Sequence, residues 1–121
     1  MRRVLVVDDD PVVANSLVML LESLDVDACA AYCGTEALRV VTEFKPDLAF
    51  VDIGMPDMDG YETARHIREL PDGDKLVLAA LSGWGRAEDR ARGAAAGFDH
   101  HFVKPINISV LESVLTTLDK G

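Results

Sequence analysis

Carboxylates stand directly after two short apolar runs of this sequence. Asp8 and Asp9 follow the run at residues 4–7, and Asp52 follows the run at residues 48–51. Like charges that lie close together repel each other unless a cation sits among them. Carboxylate oxygens favour a hard cation, and Mg²⁺ needs only one or two of them beside water and phosphate oxygens. The residue types therefore predict a metal site that holds Mg²⁺ or, in its place, Mn²⁺.

A hydroxyl and an ammonium group follow two further apolar runs. Ser82 comes after residues 76–81, and Lys104 comes after residues 102–103. Lys104 can pair with an anion bound nearby, and Ser82 can donate one hydrogen bond to it. In-line phosphoryl transfer depends chiefly on positioning and charge neutralisation, and a carboxylate can be its nucleophile. A metal, an ammonium group and a hydroxyl around a carboxylate therefore predict phosphoryl transfer onto that carboxylate.

The elements that must position these groups alternate along the chain. Most of the apolar runs, at residues 4–7, 28–31, 48–51, 76–81 and 102–103, are rich in Val, Leu or Phe, and several lack in/out alternation, which is typical of parallel strands covered on both faces. Stripes at helical spacing lie between them: Val12, Val13, Leu17, Leu20, Leu21 and Leu24; Leu38, Val41 and Phe44; Ile108, Leu111, Leu115 and Leu118. Five strand–helix units predict an α/β fold with a parallel sheet. Ligands bind beyond the carboxyl ends of such strands, where the polar groups stand.

Helix boundaries are marked by capping residues. Asp10 and Pro11 predict the N-cap and first position of the first helix, and Gly97 predicts the end of the fourth. The fourth helix, at residues 87–96, offers Ala87, Ala91, Ala94 and Ala95 as its inward residues. These bury little apolar area, so the helix is either a weakly anchored moving part or an ordinary Ala-rich surface helix.

Composition bounds the class of protein. The 121 residues carry 12 Lys and Arg against 21 Asp and Glu, a formal net charge of −9. This balance argues against nucleic-acid binding, which needs a basic face, and no apolar run approaches the ~20 residues of a membrane-spanning helix. Cys29 and Cys33 lack the further ligands of a zinc site. We expect one soluble cytoplasmic domain over residues 1–121, with no room for a second domain.

The chain resembles the receiver domain of two-component response regulators over essentially its whole length. Four segments carry the resemblance: VLVVDDD at residues 4–10, DIGMPDMDG at 52–60, LSG at 81–83 and VKP at 103–105. The resemblance implies a flavodoxin-like (βα)5 doubly wound sheet of five parallel strands in the order 2-1-3-4-5. It implies that Asp52 accepts a phosphoryl group from a histidine kinase or a histidine phosphotransfer domain. Such a domain is not a turnover enzyme, because it is itself phosphorylated and slowly loses the group.

The same resemblance implies roles for the surrounding residues. The metal would be held by Asp8, Asp9, Asp52 and the backbone carbonyl of Gly54. Ser82 would contact a phosphoryl oxygen, and Lys104 would pair with phosphorylated Asp52. The peptide bond between Lys104 and Pro105 would be cis. The face formed by the fourth helix, fifth strand and fifth helix would rearrange and meet partners, with homodimerisation as one possibility.

Several positions depart from the usual pattern of the family. Ser82 stands where Thr is frequent, and His101 stands where many members carry a Tyr or Phe that switches rotamer. Gly54 and Trp84 occupy the two positions that tune phosphoryl lifetime in the family. Gly54 offers no side chain to orient water and Trp84 can shield the site, so we expect slow self-dephosphorylation; alternatively, Trp84 simply packs on the fourth helix.

Three alternatives remain open at the level of sequence. The segments around Ser82 and His101 are most similar to receivers of hybrid sensor histidine kinases, so the chain is either a whole protein or part of a longer one. The start DDDPV also matches haloacid-dehalogenase-type phosphatases, in which Asp8 would be the nucleophile and Asp10 the general acid. A receiver-like binding module that is never phosphorylated is the third alternative.

Overall fold

Five strands and five helices alternate along the chain in the computed structural model, which describes residues 2–55, 59–83 and 87–120. The strands are β1 (Arg3–Val7), β2 (Asp27–Ala31), β3 (Leu48–Asp52), β4 (Val77–Ser82) and β5 (His100–Val103). The helices are α1 (Pro11–Glu22), α2 (Gly34–Phe44), α3 (Gly60–Glu69), α4 (Ala87–Ala96) and α5 (Ile108–Lys120). Among the described residues, no helix has the length and apolar character needed to cross a membrane.

The strands form one parallel sheet in the order β2-β1-β3-β4-β5. This confirms the predicted α/β class and strand order. The chain passes from β1 outward to β2 and then returns to β3 on the other side of β1, so the order reverses between β1 and β3. The β3–β4 register pairs Asp52 with Leu81, which brings Ser82 to the same sheet edge as Asp52.

Alternate residues of the central strands enter two separate cores. Leu5 and Val7 pack with the core of α2, α3 and α4, while Val4 and Val6 pack with that of α1 and α5. All four side chains are fully buried. Because both faces of β1 are buried here, residues 4–7 do not alternate between apolar and polar side chains.

Side-chain and backbone caps fix where the helices begin and end. Asp10 caps α1 by accepting a hydrogen bond from Val12 N at 3.0 Å, with Pro11 at the first helical position. Asp59 caps α3 in the same way through Glu62 N, at 2.9 Å. Gly97, which follows α4, has a φ of +110°, a conformation that glycine adopts without strain.

Three predictions about helix faces are wrong in part. In the predicted α5 stripe Ile108 is 43% exposed, whereas Leu111 and Leu115 are buried, and the side chain of Leu118 lies outside the described set. Leu17 and Leu21 of α1 are buried, whereas Val12 is 74% exposed and Val13 40% exposed. In α4 the buried residues are Gly93 and Ala96, and the expected inward residues Ala91, Ala94 and Ala95 are exposed. The side chain of Ala87 lies outside the described set. Because the alanines of α4 lie on several sides of the helix, the sequence has no apolar stripe that indicates which side of the helix is buried.

Candidate functional site

The loop after β1 presents two carboxylates in different environments. Asp8 is 1% exposed, and its Oδ1 accepts a hydrogen bond from Asp10 N at 3.0 Å. Asp9 is exposed. The backbone turn that caps α1 therefore also fixes the Asp8 carboxylate at the sheet edge, while Asp9 points toward solvent.

Asp52 ends β3, next to β1 in the sheet. Its side chain is largely buried, and its Oδ1 accepts a hydrogen bond from Gly54 N at 2.9 Å. Gly60 packs directly beneath, since a Cβ built there would lie 2.5 Å from the backbone oxygen of Asp52 and 2.5 Å from Ile53 Cα. This close approach of backbone atoms excludes any side chain at position 60.

Lys104 lies between the two buried carboxylates. Its Nζ is 3.0 Å from Asp8 Oδ2 and 3.3 Å from Asp52 Oδ2. Burial disfavours the ammonium charge, but the hydrogen bond to Asp8 and the charges of Asp52 and Asp8 outweigh it and raise the pKa of Lys104. The Lys104–Pro105 peptide bond is cis. The ammonium group therefore stays charged and in contact with both carboxylates.

Opposing effects act on the ionisation of Asp52. Burial is the largest and raises the pKa of this carboxyl group above its usual value, with a smaller contribution in the same direction from the Asp8 charge. The Gly54 N–H and the Lys104 ammonium group lower it but do not cancel the rise. Asp52 is thus a partly desolvated carboxylate whose charge is costly in the absence of further cations.

The three carboxylates satisfy the requirements of a divalent metal site. Asp8, Asp9 and Asp52 each offer an oxygen, and these oxygens lie within 4.8 Å of one another. Three carboxylates against one ammonium group leave a formal charge of −2, which a divalent cation balances. An all-oxygen set with one solvent-facing member suits Mg²⁺, which retains several waters when bound. The residues present therefore fit the ion that the sequence predicts.

Ser82 and His101 form a direct pair on the neighbouring strands β4 and β5. Ser82 is 4% exposed at the end of β4. Its Oγ lies 2.8 Å from Nε2 of the half-buried His101. His100, the preceding residue, points to the other face and stacks on Phe102 with ring centroids 5.9 Å apart. The imidazole of His101 is thus turned toward the site.

Helix α4 is held to α3 by contacts that the sequence did not indicate. The Arg92 guanidinium lies over the Tyr61 ring, 4.2 Å from its centroid, and 3.7 Å from Asp59 Oδ2. Tyr61 Oη also contacts the backbone oxygen of Asp89 at 3.4 Å. These pairs join residues about thirty positions apart, so no local spacing could have revealed them. They connect α4 to the residue that caps α3.

The structure brings together the predicted Asp8, Asp9, Asp52 and Lys104, with Ser82 and Gly54 beside them on the same sheet edge. Gly54 lies against the acceptor, since a Cβ built there would be 3.5 Å from Asp52 Oδ1. Trp84, the second position predicted to tune phosphoryl lifetime, lies outside the described residues, as does Asp57 of the turn after Asp52.

Comparisons with known proteins match nearly the whole chain to one family. The family model described as the response regulator receiver domain matches residues 4–116. The chain is 39% identical to the transcriptional regulatory protein PrrA of Mycobacterium tuberculosis, over 90% of its own length and 46% of PrrA. It is 34% identical to the sensor histidine kinase RcsC of Escherichia coli, over 93% of its own length and 12% of RcsC. The chain thus spans under half of PrrA and a small part of RcsC.

A solved structure shares the whole fold. The chemotaxis protein CheY4 of Vibrio cholerae superposes with a TM-score of 0.92 at 26% sequence identity, covering 98% of each chain. At this coverage the similarity extends over nearly the whole of both chains.

Proposed function

The chain belongs to the response regulator receiver family of two-component signalling, and we propose that Asp52 is its phosphoacceptor. The observation that carries this proposal is the contact of one ammonium group, Lys104 Nζ, with both Asp52 Oδ2 at 3.3 Å and Asp8 Oδ2 at 3.0 Å. In such a site the ammonium group of Lys104 can neutralise the negative charge that a phosphoryl group adds to Asp52.

In the proposed reaction an Asp52 oxygen attacks the phosphorus of a phosphohistidine. A phosphorus–oxygen bond forms while the phosphorus–nitrogen bond breaks, and the bonding electron pair leaves with the imidazole nitrogen of the donor. The hydrogen bond of 2.9 Å from Gly54 N to Asp52 Oδ1 fixes the orientation of the carboxylate. Lys104 then pairs with the transferred group, and Ser82 donates a hydrogen bond to one of its oxygens.

Mg²⁺ would be held at the same site by Asp8, Asp9, Asp52 and the backbone carbonyl of Gly54, of which the three carboxylates lie close enough together to share one ion. When bound, the ion neutralises charge on the phosphoryl oxygens. The buried Asp8 keeps its place through Asp10 N, whereas the exposed Asp9 adds a ligand at little structural cost.

Phosphorylation adds about 1.5 to 2 negative charges at Asp52. We expect Ser82 and Lys104 to move toward the new oxygens, with α4 and β5 following. A change from 1:99 to 99:1 between two states requires about 5.5 kcal/mol of differential interaction. Val103 and Ile108, 42% and 43% exposed, provide apolar surface on the α4–β5–α5 face for a partner or a second copy of this chain.

The partner that supplies the phosphoryl group is proposed to be a histidine kinase or a histidine phosphotransfer domain. The similarity to part of RcsC supports the receiver of a hybrid kinase as one context, and similarity to PrrA supports a regulator as another. Residues 1–121 are proposed to act as one cytoplasmic receiver domain without turnover. Gly54 and Trp84 are proposed to give a slow loss of the phosphoryl group, as the sequence predicts.

The test is incubation with acetyl phosphate, with Mg²⁺ or with a chelator, followed by intact-mass measurement. We expect a Mg²⁺-dependent phosphoryl adduct on the wild-type chain and none on Asp52→Asn. An adduct that survives Asp52→Asn but disappears in Asp8→Asn, with turnover of a phosphate ester, would instead support the phosphatase alternative. The absence of any adduct on the wild-type chain would support the binding module that is never phosphorylated.

A further inference from the structure

The hydrogen bond between Ser82 and His101 can run in either direction, and the direction has consequences for the site. A neutral imidazole carries one proton, on Nδ1 or on Nε2. If Nε2 is bare, Ser82 must donate its single proton to His101 across the 2.8 Å contact. If Nε2 carries the proton, His101 donates and Ser82 accepts, so the Ser82 proton is directed to another acceptor.

The surroundings of the second ring nitrogen decide between these tautomers. His101 Nδ1 is buried and has no hydrogen-bond partner among the described residues. The buried Gly93 of α4 lies against it, since a Cβ built on Gly93 would be 3.8 Å from Nδ1 and 3.6 Å from Phe98 Cδ2. A proton on Nδ1 would be a buried N–H with no acceptor among the described residues, whereas a bare Nδ1 leaves an unpaired lone pair. Buried N–H groups are left unpaired in proteins less often than buried acceptors, so the bare Nδ1 is favoured.

We propose that His101 is a positioning residue that donates a hydrogen bond from Nε2 to Ser82 Oγ, so that Ser82 directs its own proton toward the phosphoryl group on Asp52. This inference rests on the proposed phosphorylation of Asp52. The hydrogen bonds then run in one direction, from His101 N–H to the Ser82 oxygen and from the Ser82 hydroxyl to a phosphoryl oxygen. Hydrogen bonds in such a chain polarise and strengthen one another.

The arrangement also differs from a switch in which an aromatic side chain must swing inward. His101 is already turned toward Ser82, and a hydroxyl can accept from the ring while it donates to a phosphoryl oxygen. When Ser82 moves toward the phosphoryl group, His101 can follow without exchanging its hydrogen bond. Since His101 belongs to β5 and lies next to Gly93 of α4, this movement would be transmitted to the face proposed to meet partners.

The tautomer is tested directly by nitrogen-15 NMR of the imidazole rings in the unphosphorylated wild-type chain, above neutral pH. The sequence has three histidines, and His101→Gln and His100→Phe identify the signals. We expect His101 to show a protonated Nε2 and a bare Nδ1. A bare Nε2 with a protonated Nδ1 would overturn the proposal. This measurement needs no phosphorylation, so it decides the hydrogen-bond direction even if Asp52 accepts no phosphoryl group.

Rates of phosphorylation by acetyl phosphate with Mg²⁺ test the consequence. We expect His101→Phe, which keeps the ring but loses the donor, to lower the rate roughly three- to tenfold, the worth of one neutral hydrogen bond. His101→Gln, whose amide can donate at a similar reach, should restore most of it. His100→Phe is the matched control and should leave the rate unchanged, because His100 lies on the opposite face.

A double-substitution cycle separates positioning through Ser82 from a general effect on packing. In the Ser82→Ala background, His101→Phe should have no further effect on the rate. An equal loss in both backgrounds, or a wild-type rate for His101→Phe, would overturn the positioning role. A wild-type chain that forms no adduct would count against the proposed function and leave the tautomer result standing.

Discussion

Removing the ammonium group of Lys104 should destabilise the protein through the two buried carboxylates that it contacts. At about 3 Å and an effective dielectric constant of about 20, each ion pair is worth about 5 kcal/mol before desolvation is subtracted. Deleting one partner of a buried pair costs about 3 to 5 kcal/mol. The Lys104 side chain is 29% exposed, against 2% for Asp8 and 10% for Asp52. For Lys104→Met we therefore expect a loss of about 2 to 3 kcal/mol in the free energy of unfolding.

The pH dependence of this loss identifies its origin. Burial already raises the pKa of Asp52, and Lys104 is one of the groups that lower it, so removing the ammonium group raises that pKa further. The folded Lys104→Met protein then binds protons more readily than the unfolded chain, and its stability falls as the pH rises through the raised pKa. The deficit relative to wild type should be largest at neutral pH and should shrink in acid, or when Mg²⁺ is added.

Urea denaturation followed by circular dichroism measures the effect over a series of pH values. Lys75→Met is the matched control, because Lys75 and Asp72 form an exposed pair 3.3 Å apart, with side chains 76% and 80% exposed. Such a pair contributes at most about 1 kcal/mol. Asp52→Asn should recover part of the stability lost in Lys104→Met. Wild-type stability for Lys104→Met, or a deficit of equal size in acid, would show that the carboxylates do not cause it.

Three further changes test the framework around the site. Arg68→Met should lower the free energy of unfolding by about 2 kcal/mol in urea titrations. The reason is that Arg68 donates to three backbone carbonyls of two loops and pairs with Asp99. Arg65→Met, at an exposed position of the same helix, is the control and should have little effect. Gly60→Ala should cost about 1 to 3 kcal/mol by overpacking, whereas Gly83→Ala, whose Cβ would have no atom of the described residues within 4 Å, should cost much less. Mg²⁺ at about a hundred times its dissociation constant should stabilise the wild-type chain by about 2.7 kcal/mol, as measured by thermal denaturation. Asp9→Asn should remove most of this gain in stability. An equal gain in the variant would exclude Asp9 as a ligand.

The strands and the carboxylate cluster were accessible from sequence because their signals are local. Each central strand is a run of apolar residues that both faces of the sheet bury, and the polar groups follow directly at its carboxyl end. Parallel pairing of β1 with β3 then brings Asp8 and Asp52 side by side, and β4 and β5 add Ser82 and Lys104 to the same edge of the sheet. Capping by Asp10 depends on residues only two positions apart and was predicted for the same reason.

Long-range contacts and helix orientation were not accessible in this way. Arg68 and Arg92 contact residues about thirty positions away in the chain. An arginine that makes such contacts cannot be told by its sequence context from one that faces solvent. The alanines of α4 lie on several sides of the helix and form no apolar stripe. Packing therefore determines that Gly93 and Ala96 are its buried residues. The inward position of His101 also required the geometry, since its sequence position alone permits a ring turned toward solvent.

Chemical mapping of the phosphorylated residue tests the proposed acceptor most directly. After phosphorylation by acetyl phosphate and Mg²⁺, borohydride reduces an aspartyl phosphate to homoserine, which peptide sequencing by mass spectrometry locates in the chain. We expect homoserine at position 52, absent when the phosphodonor or Mg²⁺ is omitted. Homoserine at position 8 or 9 instead, or none at position 52 on a chain that carries the adduct, would contradict Asp52 as the phosphoacceptor.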